Sequence, residues 1–209
     1  MAEALTYASL LTDVQTYAER TDTPFVSQIP RLVMLAENRL ASEVRGLGFQ
    51  KYATGTMNGN TIPKPERWRE TASFNVTVGT ERSFLQQRSY DYCRAFAPDP
   101  ALTGQPRYYA DYGYEHFLIV PTPAGTYSFE LAYYERPEPL SDDNQTNWTT
   151  QYAPQLLLYA TLLEAQPFLK RQDLLQVWQG LYDRALQGLA QETARRAGGD
   201  RASSSRTGE

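Results

Sequence analysis

The 209-residue chain is 41% hydrophobic and 21% charged, enough for one substantial core or two small ones. Its net charge of −4 and pI near 5.2 argue against a strongly basic nucleic-acid surface, while leaving room for a local basic patch, and the single cysteine, Cys93, excludes an intramolecular disulfide and the usual zinc spacings. The opening MAEALTYASLL lacks the basic and long apolar regions of a secretory signal, and no apolar run approaches the roughly 20 residues of a membrane span, so the expectation is a soluble protein made in a cytoplasm.

Residues 6–20 place Tyr7, Leu10, Leu11, Val14 and Tyr17 at spacings of three and four, which predicts a helix with Thr6 as its N-cap. A second helix begins after Ser27, takes Pro30 in its first turn and runs to about Arg45. Its stripe is Leu32, Val33, Leu35, Ala36, Leu40 and Val44, and Gly46 and Gly48 end it.

From Phe49 to Pro137 the period changes to two. Phe74, Val76 and Val78 alternate with Ser73, Asn75 and Thr77, and Tyr90 and Tyr92 alternate similarly. His116–Val120 is a continuous apolar strand stopping at the turn Pro121–Gly125. Beyond it Tyr127, Phe129, Leu131 and Tyr133 share one face, so the two strands read as a hairpin. These pieces predict an antiparallel sheet, sandwich or barrel of about five or six strands. Nine of the fifteen tyrosines fall within residues 84–137.

Residues 137–153 read as a polar loop, with chance N-x-Thr triplets at Asn144 and Asn147. Helix returns at Pro154 and is expected to kink or end at Pro167. The last helix, about 172–196, carries Leu174, Val177, Trp178, Leu181, Tyr182, Ala185 and Leu189 on its face. Arg195 and Arg196 lie in its final turn, and Gly198-Gly199 stops it.

Four helices that are each apolar on one side need one another's stripes. The expected fold class is therefore α+β: a helical bundle of N- and C-terminal helices with an inserted antiparallel β sheet or barrel. The corresponding divisions are 1–48 plus 150–197 for the bundle, 49–149 for the β domain, and 198–209 for a disordered C-terminal arm.

A catalytic reading needs a nucleophile, a base or a metal site. His116 opens an apolar strand and reads as an ordinary imidazole; Cys93 sits in an aromatic run and reads as packing. There is no Gly-rich phosphate loop followed by lysine. Asp142 and Asp143 in a loop, and Glu37 and Glu43 on the second helix, read as solvated surface charge rather than a carboxylate pair held in a cleft. No catalytic, cofactor or metal residue is expected.

The chain resembles the head-to-tail adaptor proteins of tailed bacteriophages, also called neck or head completion proteins, which are similar in architecture to tail tubular protein A of short-tailed phages. The resemblance runs in order through Leu10, Val14, Tyr17, Arg20 and Asp22, then Ile29-Pro30 and Leu35-Ala36-Glu37-x-Arg39-Leu40. It continues through Arg88-Ser89-Tyr90-Asp91-Tyr92, Gly104-x-Pro106-x-Tyr108-Tyr109, Val120-Pro121-x-Pro123 and Leu131-x-Tyr133-Tyr134-x-x-Pro137. Leu140-Ser141, Asn147-Trp148 and Tyr152-x-Pro154-x-Leu156-Leu157 complete it. Lys64, in Ile62-Pro63-Lys64-Pro65, departs from the Leu-Pro-x-Asp such proteins often carry, which puts the local strand entry in question.

The resemblance implies a non-enzymatic virion protein of the neck, made in the host bacterial cytoplasm. Its copies would form a homo-oligomeric ring that joins the portal protein to the next tail or nozzle component and lets genomic DNA pass. An acidic channel would not grip phosphates. Residues 195–209 carry four arginines against two acids, a net +2 that leaves −6 on the rest of the chain. Arg195, Arg196, Arg201 and Arg206 are accordingly the expected portal contacts. Arg107, Tyr108, Tyr109, Tyr112 and Tyr114 are the expected subunit or tail contacts, with a β core as the competing place for these tyrosines. A carbohydrate- or peptide-binding module using the tyrosine surface is the alternative, and a paired-carboxylate hydrolase the third reading.

Overall fold

The computed structural model describes residues 4–44, 47–99 and 101–197. Helices α1 (Tyr7–Ala18), α2 (Thr23–Val26) and α3 (Ile29–Glu43) are followed by a 3-10 turn and strands β1 (Gln50–Met57), β2 (Thr61–Pro63), β3 (Trp68–Val78), β4 (Glu81–Phe84) and β5 (Gln86–Gln87). Helix α4 (Tyr90–Phe96) precedes β6 (Thr103–Gly104), β7 (Tyr108–Tyr112), β8 (His116–Val120), β9 (Thr122–Pro123) and β10 (Tyr127–Glu135). Helices α5 (Trp148–Tyr152), α6 (Pro154–Leu169) and α7 (Gln172–Ala197) close the order. The protein is α+β. The chain divides into two compact units, Met1–Phe49 with Arg136–Glu209, and Gln50–Glu135.

In the first unit α6 is the central helix, packing against α1, α3, α5 and α7. Leu156, Leu157, Ala160, Leu162 and Ala165 are buried on several of its sides, as expected of a helix surrounded by others. Thr6 caps α1, accepting the N–H of Ser9 at 3.1 Å while the Ser9 hydroxyl accepts the Thr6 N–H at 2.9 Å. Arg20 forks onto Asp22 at 2.7 and 2.8 Å and donates to the Phe168 carbonyl at 3.1 Å, fixing the turn between α1 and α2. Three expected stripe residues face outward instead: Tyr17, Leu35 and Val177 are exposed, because the buried faces are set by Tyr7, Leu10, Val14 and Ala18 on α1, by Leu32, Val33, Ala36 and Leu40 on α3, and by Trp178 and Tyr182 on α7. Helix α6 runs through Pro167 rather than ending there. The proline lies in the last turn, and Lys170 closes the helix in the left-handed conformation at φ 52°. The expected 137–153 loop contains α5, capped by Asn147. Gly46 and the 198–209 arm lie outside the described residues.

The second unit is built from two four-stranded sheets, β1-β10-β3-β4 and β2-β8-β7-β5, plus a short parallel pair of β6 and β9. Among the described residues no closed barrel forms, because the strands divide between separate sheets instead of completing one circuit. Pairing is mainly antiparallel, with parallel registers at β5–β7 and β6–β9. The sheets share a core of Met57, Ile62, Phe74, Val76, Leu85, Tyr109, Phe117, Ile119, Leu131 and Tyr133. The expected hairpin of β8 and β10 does not form. After Val120 the chain passes through β9, and β10 enters the other sheet between β1 and β3.

Strand β8 explains its own apolar run. Phe117 and Ile119 point into the shared core, while Leu118 and Val120 point to the opposite face against Cys93 and Ala110. A strand covered on both faces has no solvated side to make polar.

Candidate functional site

The opposite face of the β8–β7 sheet is covered by α4, and here the tyrosine-rich stretch takes its shape. Residues 90–96 are helical, not the strand that the Tyr90/Tyr92 alternation suggested. Ser89 supplies the reason: its backbone is extended, and its hydroxyl accepts the Tyr92 N–H at 3.2 Å. Asp91 in the first turn and Arg94 in the last complement the helix dipole. Cys93 turns inward at 0% exposure, leaving Tyr90, Tyr92 and Phe96 exposed.

Those rings interlock with β7. Tyr90 stacks with Tyr112 at 6.1 Å between centroids and Tyr92 with Phe96 at 6.4 Å. Tyr108 meets Tyr92 and Phe96 edge-on at 5.4 and 4.9 Å. Two guanidinium groups lie over them, Arg88 over Tyr92 and Tyr108, and Arg94 over Tyr90 and Tyr112, at 5.1–5.9 Å. Arg88 also donates to Gln86 at 2.8 Å. The Tyr92 phenol is held above its ordinary value, first by its hydrogen bond with Tyr108 and then by desolvation. The result is an ordered, exposed arginine–aromatic face.

Of the residues expected to contact a neighbour, Arg107, Tyr112 and Tyr114 are exposed, Tyr114 at 78%, and Tyr108 is half-buried within the face. Tyr109 is different. It is 5% exposed and packs on Phe74 and Phe117 at 5.3 and 5.6 Å, so it belongs to the core and offers no contact surface. Burial pushes its phenol up. Sequence reasoning missed Arg88, Tyr90, Tyr92, Arg94 and Phe96 as parts of this face. The available signal was Ser89 followed by Asp91 and Arg94, a cap and dipole pattern for a short helix.

At the other chain end, Arg195 is exposed, and Arg196 donates to Glu192 at 2.6 Å. Arg196 lines a cleft of about 340 Å³ with Gly48, Trp148, Tyr152 and Leu189. Arg201 and Arg206 lie outside the described residues.

The candidates for chemistry are scattered. His116 is half-buried in β8, opposite Tyr112 and Pro63. Burial pushes the Cys93 thiol up, away from the thiolate a nucleophile needs. Glu43 accepts the Tyr182 hydroxyl, which burial and then that bond hold well above its usual range. Asp142 and Asp143 are exposed. Glu37 is not the solvated charge expected: it is 8% exposed and accepts from Leu140 and Asn147. Among the described residues no group of three or more His, Cys, Asp or Glu could hold a metal ion, and no helix is long and apolar enough to cross a membrane.

Lys64, the departure from the expected motif, leaves the strand entry intact. β2 pairs with β8, the Lys64 N–H reaches the Glu115 carbonyl at 2.7 Å, and its ammonium sits 2.6 Å from Asp111 and 4.0 Å above the Trp68 ring.

The most developed surface among the described residues is this arginine–aromatic face. The chain belongs to the SU10 adaptor protein family, whose pattern matches residues 5–207, in keeping with the phage head-to-tail adaptors that the sequence resembles. That family gives it a structural adaptor role in a bacteriophage. Tail tubular protein A stands only as a resemblance in architecture. The comparison with curated proteins gives no match.

Proposed function

We propose that this adaptor is a subunit of the virion neck, where copies assemble into a ring that joins the capsid portal to the tail and leaves a passage for DNA. The family match across nearly the whole chain carries this reading. An aromatic face carrying arginine has the composition of protein-contact hot spots, and an overall charge of −4 suits a passage that must not hold phosphates. Identical copies close a ring only through a heterologous contact, in which two different surfaces of each subunit meet. The arginines at 195, 196, 201 and 206 are the portal contacts of this reading. Arg107, Tyr108, Tyr112 and Tyr114 contact a neighbouring subunit or the next tail component.

Electron microscopy of the protein mixed with portal particles tests it. A ring seated on the portal is the expected result. A protein that stays monomeric and leaves the portal bare overturns it. Deleting residues 197–209 tests the portal-facing arm separately: docking that is unchanged removes the arm from the interface.

A further inference from the structure

The arginine–aromatic face holds two arginines that its nearby acids, Asp91 and Asp111, do not pair with among the described residues. Neither Arg88 nor Arg94 forms an ion pair among the described residues, although Arg20, Arg39, Arg67, Arg82, Arg171 and Arg196 all do. Each is held over two tyrosine rings, so its position is fixed before any partner arrives. The nearby Asp111 is already engaged by Lys64.

The same chain carries a rigid acidic turn. Ser141 and Asn144 exchange backbone hydrogen bonds at 3.0 and 3.2 Å, Asn144 Nδ2 donates to the Pro139 carbonyl at 2.8 Å, and Gln145 Nε2 donates to the Asp142 carbonyl at 3.1 Å. One residue before this turn, the Leu140 N–H is fixed by Glu37. Asp142 and Asp143 are thereby displayed side by side and exposed, and neither forms an ion pair among the described residues.

We propose that the Arg88–Arg94 face of one copy receives the Asp142–Asp143 turn of the next copy. This inference rests on the ring reading and names the two surfaces that meet. They are different patches of opposite charge, and a heterologous contact joins two different patches of identical copies. Nucleic acid is the poorer occupant, because the chain carries a net charge of −4 and two arginines offer few phosphate contacts.

Charge reversal tests this with full-length chains, alone and with portal particles, by sedimentation and electron microscopy. Arg88→Glu/Arg94→Glu and Asp142→Arg/Asp143→Arg are each expected to weaken self-association roughly tenfold or more. Mixing the two variants restores it, because every contact in an alternating assembly is again between opposite charges. The chain carrying all four changes also assembles alone. Circular dichroism of each variant checks that it is folded, and rescue in the mixture excludes a folding defect as the cause of the loss. If both reversals assemble like the wild type, this inference fails and the ring reading stands. If the wild type forms no oligomer even on portals, both fail. If the arginine variant assembles normally but loses retention of a DNA oligonucleotide, the face is a nucleic-acid contact and the inference is overturned.

Discussion

Leu140 donates its backbone N–H to both oxygens of Glu37, each at 3.2 Å, across a separation of 103 residues. Asn147 adds a second donor at 2.8 Å and uses its own side-chain carbonyl oxygen to cap α5 through Thr149 and Thr150. Gln145, between them, accepts the first N–H groups of α1 from Tyr7 and Ala8. A single buried carboxylate thus anchors the segment that holds the starts of two helices.

Glu37→Ala leaves the buried Leu140 N–H without its acceptor and removes one of the two acceptors of the half-buried Asn147 amide, and is expected to cost about 1–3 kcal/mol. Urea denaturation of Glu37→Ala, Asn147→Ala and the double variant should show strong non-additivity, since both side chains act in one network.

The same residue sets a pH dependence. Burial is the main influence on Glu37 and pushes its carboxyl up, with Leu140 and Asn147 pulling it down. Since the folded value lies above the unfolded one, its contribution to stability is full below the unfolded value and is lost as pH rises through the folded value. The Tm advantage of wild type over Glu37→Gln should therefore grow as pH is lowered from neutral toward about 4. A difference that shrinks on acidification would contradict this.

Gly48 lies against Trp148, whose ring also packs on Phe49 at 4.8 Å and Tyr152 at 5.7 Å. A methyl group at Gly48 would land inside the indole. Gly48→Ala should destabilise by about 1–3 kcal/mol through overpacking, and Trp148→Leu should recover part of the loss in the Gly48→Ala background. Trp fluorescence during denaturation reads both.

Lys64 is 5% exposed in its side chain, while Asp111, its partner, is 49% exposed. Asp111→Asn leaves a buried ammonium with the Gly113 carbonyl and the Trp68 and Phe117 rings, and should cost about 1–3 kcal/mol, below the range for a fully buried pair. Lys64→Met removes the charge and keeps the packing, so it should lie within about 1 kcal/mol of wild type. Thermal unfolding of both variants separates the charge from the shape.

Tyr109→Ala and Tyr114→Ala should differ sharply despite their proximity in sequence. The first opens the core between Phe74 and Phe117 and should cost about 3–5 kcal/mol; the second should change stability by less than about 0.5 kcal/mol. Assembly on portals is the complementary readout, where Tyr114→Ala is expected to act.

The helices α1, α3, α6 and α7 were legible because their buried stripes repeat at three and four, and Thr6 marked its own cap. Helix α4 was not, since Tyr-x-Tyr also fits a strand and only Ser89 distinguishes them. The turn after Val120 announced a change of direction but carried no information about which sheet the next strand would join. Glu37 could have been singled out: it stands four residues after Val33 and three before Leu40, on the apolar stripe itself. The motifs carrying the family resemblance turn out to be caps, anchors and packing positions, Arg20 with Asp22, Ser89, Leu140 and Asn147 among them. The motifs also hold Arg88, Tyr90, Tyr92 and Tyr108, but only the helical turn of residues 90–96 brings Arg88 and Arg94 onto one face, and a strand reading of Tyr90 and Tyr92 hid it.

Gln50 pairs with Tyr134 in neighbouring antiparallel strands, so the polypeptide departs and comes back through a single doorway about 5 Å wide. Replacing residues 51–133 by a few glycines is therefore expected to leave the helices folded, which circular dichroism of the shortened chain checks.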